Sequence, residues 1–524
     1  MKDGIRHSML GVRLSTGLLL KTCHTALCFT FIFATVCLLV YTPLPSASFA
    51  ADDISLDEAL EGFDDEVGEE PDNSLEDVID GFEDESAADE TGPPQNIETD
   101  GTHTPTSYPT FALSGAARIR AFYNYARHAP EAGETDWRGF SSLRGDLLLE
   151  ADSKLGNAWQ AKFTLWGYYD PIYDIQGWDE YTEDVTDTHI KNLELRDTYI
   201  QGRLLPYLDI KVGRQIVVWG KSDNLRVCDV LNPLYLREVG MTDIRDLRLP
   251  VTMVRLDYYW SNWGVSGMAI PEIRFNELPV YGGDFYFQDE PLPDEEIPDS
   301  GIENMEYAFS VNGIFSGWDI SLYFADIYDD APYLSLESLD LISPGPPPVF
   351  QADLALKHAR LKMYGAAWNL AIGNWLIKAE GAHFQGLKYF NTPDQTYART
   401  DVLAGIEYSG FHEISISFEA LNRHLHNYDE ALEASPTAIK QNETQYTARL
   451  TKDWMNETLT LLLLASAYGV DFLSGSFERF VLEYDITDAW TLIGGLVLYQ
   501  SGDKPEFKNI GNNDRIFAEV KYSF

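Results

Sequence analysis

A two-residue hydrophobic period runs through most of this chain and limits what it can fold into. In the stretch FALSGAARIRAFYNYA (111–126), odd positions such as Phe111, Leu113 and Ile119 are apolar, whereas Arg118 and Arg120 lie between them. Side chains of a β-strand point alternately to its two faces, so this pattern predicts a strand with one apolar and one charged face. About 18 such segments follow one another, with starts near residues 111, 140, 157, 190, 207, 251, 263, 306, 317, 358, 374, 398, 413, 443, 456, 476, 489 and 512.

The connections between these segments alternate in length. Those after odd-numbered segments are long, as at 170–190, 272–304, 326–357 and 423–442, and those after even-numbered segments are tight turns such as SKLGN at 153. Short turns at one end and long loops at the other are typical of transmembrane β-barrels with an even strand number. Closure is needed because hydrocarbon cannot satisfy the backbone groups of an open sheet edge. The sequence therefore predicts an all-β fold, a transmembrane antiparallel β-barrel of about 16 to 18 strands over residues 111–524.

A soluble all-β sandwich or propeller is the alternative, because it would also bury an apolar strand face. That alternative explains neither the alternation of loop lengths nor the last ten residues. A helical membrane protein is excluded after residue 50, since the longest apolar run, LTLLLLASA (459–467), is far shorter than the ~20 residues of a spanning helix.

The last ten residues, RIFAEVKYSF, place Val520, Tyr522 and Phe524 on one apolar face. This segment resembles the C-terminal signature by which the bacterial outer-membrane assembly machinery recognises its barrels. The resemblance implies that these three residues form an assembly signal and that the assembly machinery is a partner.

Residues 1–50 are predicted to be a signal peptide. Basic residues precede the apolar run ALCFTFIFATVCLLVY (26–41), and the tripeptide SFA supplies small residues at −3 and −1 for cleavage after Ala50. An uncleaved inner-membrane anchor is the alternative. Cleavage would remove three of the four cysteines and leave Cys228, so neither an internal disulfide nor a thiolate cluster for a metal is expected, and no cofactor is predicted.

Acidic residues dominate the chain, and they are concentrated near its start. The full sequence has 38 Lys+Arg and 83 Asp+Glu, a net charge of −45. Such a surface repels nucleic acid, so no nucleic-acid partner is expected. Of the acids, 21 lie in residues 51–100, a tract with few aromatic residues. Residues 51–110 are therefore predicted to be a disordered acidic arm on the periplasmic side, ahead of the first strand.

The arm contains a repeat, SLDEALEGFDDE (55–66) and SLEDVIDGFEDE (74–85). Apolar residues in each copy fall at offsets of zero, three, four and seven, which predicts one stripe of a short amphipathic helix. A helix of two turns is not stable alone in water, so each copy is expected to fold on contact with a groove. The hypothesis is that the repeats are docking motifs for a periplasmic partner, and the alternative is an acidic spacer. The docking residues would be Leu56, Leu60, Phe63, Leu75, Ile79 and Phe82.

One long connection differs from the others in composition. The segment 220–250 mixes both charges with apolar residues, whereas the other long connections are acidic, and it is expected to fold back into the lumen as a constriction. Arg214 falls in phase with the lipid-facing residues of the preceding strand, where an arginine costs about 2 to 4 kcal/mol at the midplane. Either a bulge at Gly213 turns it inward, which is the favoured reading, or Arg214 lies near the rim. Five charged residues are predicted to form an ion-pair network that holds the loop: Arg214, Lys221, Asp223, Arg226 and Asp229. The alternative is that water solvates all five at a rim of the barrel.

The strand that leads into this segment carries a motif. LDIKVGRQIVVWGKSD (208–223) followed by DVLNP (229–233) resembles the GRQ…WG…NP core of a proteobacterial outer-membrane β-barrel family known only as a domain of unknown function and often encoded near RND-type exporters. Trp219 and Asn232 belong to that core and join the predicted lumen site. Lys221-Ser222-Asp223 stands where the family pattern has an acidic residue soon after WG. The resemblance implies a barrel and an export partner, and it supplies no substrate.

These observations together predict a bacterial outer-membrane barrel that passes or exports a small solute. The hypothesis includes a hydrophobic solute. A passive general porin is the second possibility. A hydrolase or a structural barrel comes next, but no histidine falls in an HExxH motif and no serine in a GxSxG motif, so no enzyme is predicted. The expected partners are outer-membrane lipid and lipopolysaccharide, the assembly machinery and a periplasmic or RND-type exporter component.

The docking hypothesis predicts the effect of changing the two repeat phenylalanines. With residues 51–100 as bait, Phe63→Ser together with Phe82→Ser removes the largest apolar side chain of each repeat and is expected to abolish capture of a transport component from solubilised envelopes. The same changes in the full chain should leave barrel assembly intact. Capture that is unchanged by the double substitution would refute the docking role.

Overall fold

A computed structural model describes residues 111–524, except residues 132, 243–245, 289, 344 and 346–348. The predicted signal peptide with Ala50, the acidic arm and the six docking residues lie outside the described residues, so those predictions stay open. In the described part of the chain, no helix is both long enough and apolar enough to cross a bilayer.

Eighteen antiparallel strands form one closed sheet. They are numbered in chain order together with the three strands of a second sheet: β1 (Phe111–Asn124), β2 (Gly139–Leu155), β3 (Trp159–Tyr169), β4 (Lys191–Leu205), β5 (Leu208–Gln215), β6 (Val251–Trp260), β7 (Trp263–Ile270), β9 (Glu306–Phe315), β10 (Trp318–Tyr328), β13 (Arg360–Ile372), β14 (Trp375–Leu387), β15 (Tyr397–Phe411), β16 (Ile414–Leu425), β17 (Asn442–Trp454), β18 (Leu459–Tyr468), β19 (Gly475–Thr487), β20 (Trp490–Gln500) and β21 (Arg515–Ser523). The predicted fold class is confirmed, and every predicted strand start lies within three residues of the observed one.

The barrel closes where β1 pairs with β21. Their register runs from Ala116 opposite Ser523 to Asn124 opposite Arg515. At the end of this seam, Gly115 and Phe524 exchange two backbone hydrogen bonds, with N···O distances of 2.9 and 3.0 Å. Because each strand also pairs with its neighbour along the chain, the main sheet has no open edge, which is the condition for spanning hydrocarbon.

The outer surface of the wall carries an apolar belt with an aromatic border. Outward residues such as Leu193 and Ile119 are 73% and 63% exposed, which is unusual for large apolar side chains unless lipid covers them. Large aromatic residues gather at the short-turn end of the barrel, where they match the headgroup level of a bilayer; they include Trp159, Tyr207, Trp260, Trp318, Trp375 and Trp490.

The long connections contain more regular structure than the acidic composition predicted. Residues 170–190 include α1 (Ile172–Gln176) and α2 (Glu183–His189). Residues 326–357 include a hairpin of β11 (Tyr333–Ser343) and β12 (Val349–Lys357), beside the two-residue strand β8 (Glu295–Glu296). A register shift between Leu336 and Ser338 keeps the leucines of β11 on one face, opposite apolar residues of β12. A plain two-residue period misses this hairpin because the shift interrupts the alternation.

The three predicted assembly-signal residues lie on the outward face of β21. Val520, Tyr522 and Phe524 are 39%, 38% and 50% exposed, and the Tyr522 and Phe524 rings stack at a centroid distance of 6.0 Å. Their position at the closing strand is compatible with a role in assembly, and that role stays a prediction.

The close packing around Gly115 at the seam predicts that a larger residue there destabilises the barrel. A Cβ there would lie 2.5 Å from the carbonyl oxygen of Leu148 and 2.8 Å from the Phe524 ring, so backbone at the seam must shift. Gly115→Ala is expected to destabilise the barrel by about 1 to 3 kcal/mol, the usual cost of overpacking, and to lower the temperature at which the folded band disappears on semi-native gels. Gly267→Ala is the matched control, because nothing lies within 4 Å of a Cβ at that strand position. Equal stability of the two variants would contradict this account.

Candidate functional site: the inner loop in the barrel lumen

The connection between β5 and β6, residues 216–250 and here called the inner loop, packs inside the barrel. Six apolar residues of its first half are at most 5% exposed: Val217, Trp219, Leu225, Val227, Cys228 and Leu231. They form one apolar cluster with lumen-facing residues of β10 and β13 to β16, among them Tyr323, Met363, Phe384, Leu403 and Leu421. Apolar burial therefore places this loop in the lumen, where the sequence predicted a constriction.

Two buried glutamates of the far wall hold the first half of the inner loop. Glu380 on β14 accepts hydrogen bonds from the backbone N–H groups of Lys221, Ser222 and Cys228 at 2.5, 2.6 and 3.3 Å. Glu419 on β16 accepts from the Ser222 hydroxyl at 2.7 Å and from two further N–H groups of the loop, those of Asp223 and Asn224. Hydrogen bonds to a charged acceptor contribute about 1.5 to 3 kcal/mol each, and they satisfy backbone donors that no strand partner satisfies.

The Trp-Gly pair of the motif fits the loop against this wall. The Trp219 ring stacks on Tyr323 at a centroid distance of 4.8 Å, and the Gly220 N–H donates to the Tyr323 hydroxyl. Gly220 has φ +88°, and a Cβ at this position would lie 2.7 Å from Glu380 Oε1. Only glycine therefore combines this backbone conformation with such a close approach to the carboxylate.

The Asn-Pro end of the motif ties the two ends of the inner loop together. The Asn232 side chain is fully buried. Its Oδ1 accepts from the Val217 N–H at 2.8 Å, and its Nδ2 donates to the carbonyls of Gln215 and Leu249 at 3.2 and 2.9 Å. Asn232 thus cross-links the segments that leave β5 and enter β6.

The five predicted network residues do not form one network. Only Arg226 and Asp229 contact each other, at 3.0 Å, and Asp229 also pairs with Arg248 at 2.8 Å. The other charges reach the barrel wall instead: Lys221 pairs with Asp319 of β10 at 2.8 Å, and Asp223 with the buried Lys378 of β14. The loop is held mainly by wall residues that local sequence reasoning did not select.

The predicted bulge at Gly213 is absent, and Arg214 lies near the end of β5, within ion-pair distance of Glu194 and Glu272. The register of β5 runs without a shift through Gly213 on both sides. Arg214 is the next-to-last residue of that strand, and its guanidinium pairs with Glu272 at 2.9 Å and donates to the carbonyl of Pro250. Gly213 is needed for another reason: at φ +134°, a Cβ would lie 2.3 Å from the carbonyl oxygen of Thr198 on β4.

The second half of the inner loop reaches the opposite side of the bore. The Tyr499 hydroxyl of β20 donates to the carbonyl of Val239 at 2.6 Å, and Glu238 lies 3.7 Å from Arg144 of β2. Met241 packs in an apolar cluster with wall residues such as Phe517. The inner loop therefore contacts widely separated parts of the wall and spans the lumen.

A small cavity, partly open to solvent, lies beside this second half. Its lining combines charged and aromatic side chains, including Arg144, Asp170, Tyr173, Glu238, Asp284 and Arg515. Burial lowers the pKa of His189, which also lines the cavity, to about 4, so this imidazole is neutral at neutral pH. Burial alone would raise the pKa of Asp284, but the charges of Arg515 and Arg127 lower it below its ordinary value, so Asp284 stays ionised.

Asp284 also joins the two strands of the seam at its long-loop end. It accepts from Asn124 of β1 at 2.9 Å and pairs with Arg515 of β21 at 2.8 Å. Arg127, just beyond β1, adds a third contact at 2.5 Å. The cavity therefore adjoins the closing strands, opposite the wall to which the first half of the inner loop is anchored.

Comparison with known proteins gives one family and several solved structures. The model of the family described as "Protein of unknown function (DUF1302)" matches residues 100–524. No curated protein matches the chain. The chain is similar to OccAB2 of Acinetobacter baumannii, with 10% identity over 79% of this chain and 98% of that one and a TM-score of 0.46. OccK2 of Pseudomonas aeruginosa has 10% identity over 79% and 97%, also with a TM-score of 0.46.

A BenF-like porin from Pseudomonas fluorescens Pf-5 shows 10% identity over 79% of this chain and 98% of its own length, with a TM-score of 0.45. The family match confirms the resemblance carried by the motif in residues 208–233. Because the matched residues include every described strand, the protein belongs to the DUF1302 family.

Proposed function

We propose that this protein is an outer-membrane channel for small, partly hydrophobic solutes, in which the inner loop narrows the bore and selects what passes. The barrel is closed and has an apolar exterior, which supports the membrane location. Buried charged residues on the inward face, such as Lys378, Asp401 and Arg515, favour a hydrated path beside the loop.

The anchoring of the inner loop to Glu380 and Glu419 carries the proposal. A loop held only by its two ends would sample many positions and could not set a fixed pore width. Here the two carboxylates receive six hydrogen bonds from residues 221–228 across the bore. Preorganised groups of this kind hold a selectivity element in one geometry.

The apolar cluster and the cavity divide the lumen into two unequal parts. The first half of the inner loop fills the side of β10 to β16 with packed side chains. The cavity lies on the side of β1, β2 and β21, where aromatic rings stand beside paired arginines and carboxylates. A solute with one polar and one apolar part fits such a lining better than a simple ion does.

A passive general porin is the second candidate function. It would conduct salts freely and show little preference among solutes, whereas a selective channel has low salt conductance and saturable solute flux. A hydrolase and a purely structural barrel are further alternatives. Hydrolysis in a detergent-phase assay would identify a hydrolase, and the absence of conductance would identify a structural barrel.

An export role would place this channel at the outer end of a trans-envelope system. Its support is the repeated apolar stripe in residues 55–85, ahead of the first strand. Two linked copies of a weak motif gain avidity for a single partner assembly. The link to an RND-type exporter remains a prediction.

The anchor predicts a change in conductance. Glu380→Gln and Glu419→Gln each replace an acceptor-only carboxylate by an amide, whose NH₂ group opposes the loop N–H donors. Each substitution is expected to loosen the inner loop and raise single-channel conductance in planar bilayers, with more frequent transitions between levels. The double variant should exceed either single variant.

Asp257→Asn is the matched control for this experiment. Asp257 is a buried strand carboxylate, 7% exposed, whose partners are Arg255 and Ser266 near a short turn. Its amide variant is expected to conduct like the unmodified protein. A complete lack of conductance in all variants would refute the channel function, and equal conductance of the Glu380 variant and the control would refute the anchoring role.

A further inference from the structure

Three histidines cluster near the strand ends that lead into the long loops. His383 Nδ1 lies 2.9 Å from the Thr400 hydroxyl, and His426 Nε2 lies 2.7 Å from the same oxygen. Ring centroids are 5.6 Å apart for His383 and His426, and 4.9 Å apart for His424 and His426. His383, His424 and His426, together with Thr400, are called the rim histidine cluster below.

The strand register places this cluster on the outside of the barrel. Lys378 and Glu380 of β14 contact the inner loop, so His383, an odd number of residues away from both, points outward. His383 is opposite Thr400, Thr400 is opposite His424, and His424 is opposite Asn442. The row thus crosses four neighbouring strands on one face.

The row lies at an edge of the apolar belt. Toward the short turns, outward apolar side chains follow, among them Val402 and Phe418, which are 55% and 42% exposed. At the level of the row and beyond it toward the long loops, Lys362, Gln385 and Asn442 are exposed and polar. In an outer-membrane barrel with its long loops outside, this edge is where hydrocarbon gives way to the headgroups of the outer leaflet.

The charge at this edge contrasts with that of the whole chain. Although the sequence has a net charge of −45, no carboxylate among the described residues forms an ion pair with Lys362 or with the three histidines. The outward Asp326 of β10 is already paired with Arg360 at 2.5 Å. Asp401 of β15 and Glu443 of β17 point into the barrel, because they alternate with the outward residues of these strands. Asp401 pairs with Arg399, and Glu443 pairs with Lys504. Donor groups at the cluster are therefore not neutralised by neighbouring acids.

We propose that the rim histidine cluster and Lys362 bind a phosphate group of the outer-leaflet glycolipid. Imidazole N–H groups and an ammonium group are donors for phosphate oxygens, and hydrogen bonds to a charged acceptor are the stronger kind. An acidic barrel gains most from such a site, because its loops otherwise repel a phosphorylated leaflet. The site depends on the same orientation as the proposed channel, but not on conduction.

Native mass spectrometry of the full-length protein tests this proposal. The purified barrel is titrated with bisphosphorylated lipid A, with the same lipid after phosphatase treatment, and with inorganic phosphate. For H383N/H424N/H426N, affinity for bisphosphorylated lipid A is expected to fall on the order of ten-fold, equivalent to about 1.4 kcal/mol. His412→Asn is the matched control, because this histidine lies in a short turn at the other end of the barrel with 87% of its side chain exposed.

Each outcome decides for or against the site. Loss of lipid A binding in the triple variant, with binding retained in the His412 variant and weak binding of the dephosphorylated lipid, supports it. Equal binding by the triple variant and the unmodified protein overturns it, as does equal affinity for the dephosphorylated lipid. Inorganic phosphate that binds as tightly as lipid A would show an ion site instead of a lipid site.

A second variant covers the case in which the triple variant does not fold. Lys362→Gln changes one exposed side chain and is expected to weaken lipid A binding in the same direction. Folding of every variant is checked by heat-modifiable migration on gels. Because the cluster lies outside the lumen, bilayer conductance should not change, so failure of this proposal is distinguishable from failure of the channel function.

Discussion

Hydrocarbon offers no hydrogen-bond partner to a peptide group, and the structure depends on meeting that constraint with a closed sheet. The closing pair is β1 with β21, the two strands farthest apart in the described sequence. At one end of this seam, Gly115 and Phe524 exchange backbone hydrogen bonds, and at the other, Asp284 joins Asn124 to Arg515. Backbone pairing therefore runs along the whole seam, and charged side chains reinforce it at the long-loop end.

Closure creates a second physical problem, because an 18-stranded sheet encloses a space too wide for wall side chains to fill. The inner loop occupies that space with two different kinds of interaction. Its apolar residues pack against β10 and β13 to β16, while its backbone N–H groups are satisfied by Glu380 and Glu419. Without these carboxylates the partly buried backbone N–H groups of residues 221–224 would lose the acceptors that hold the loop in place.

The sequence predicted the wall far better than it predicted the contacts inside the wall. Strand starts follow from a local two-residue period, which lipid on one side and a polar lumen on the other impose on every strand. Glu380 and Glu419 show the same inward alternation as many other polar residues, and their partners lie about 155 to 200 positions earlier in the chain. Nothing local distinguishes them, so sequence reasoning expected one network of Arg214, Lys221, Asp223, Arg226 and Asp229, of which only the pair Arg226 and Asp229 forms. The motif residues Trp219, Gly220 and Asn232 could be selected, because each serves a geometry specific to its residue type.

The position of the inner loop links barrel closure to the path that a solute would take. By packing against β10 to β16, the loop leaves the cavity on the side of β1, β2 and β21, next to the seam between β1 and β21. Arg515 is part of both features, since it lines the cavity and pairs with Asp284 across the seam. A charged solute that competed for Arg515 would therefore weaken a closing interaction, whereas a largely apolar solute would leave it in place. This coupling favours a channel whose selectivity comes from shape and apolar contact, with its buried charges committed to structure.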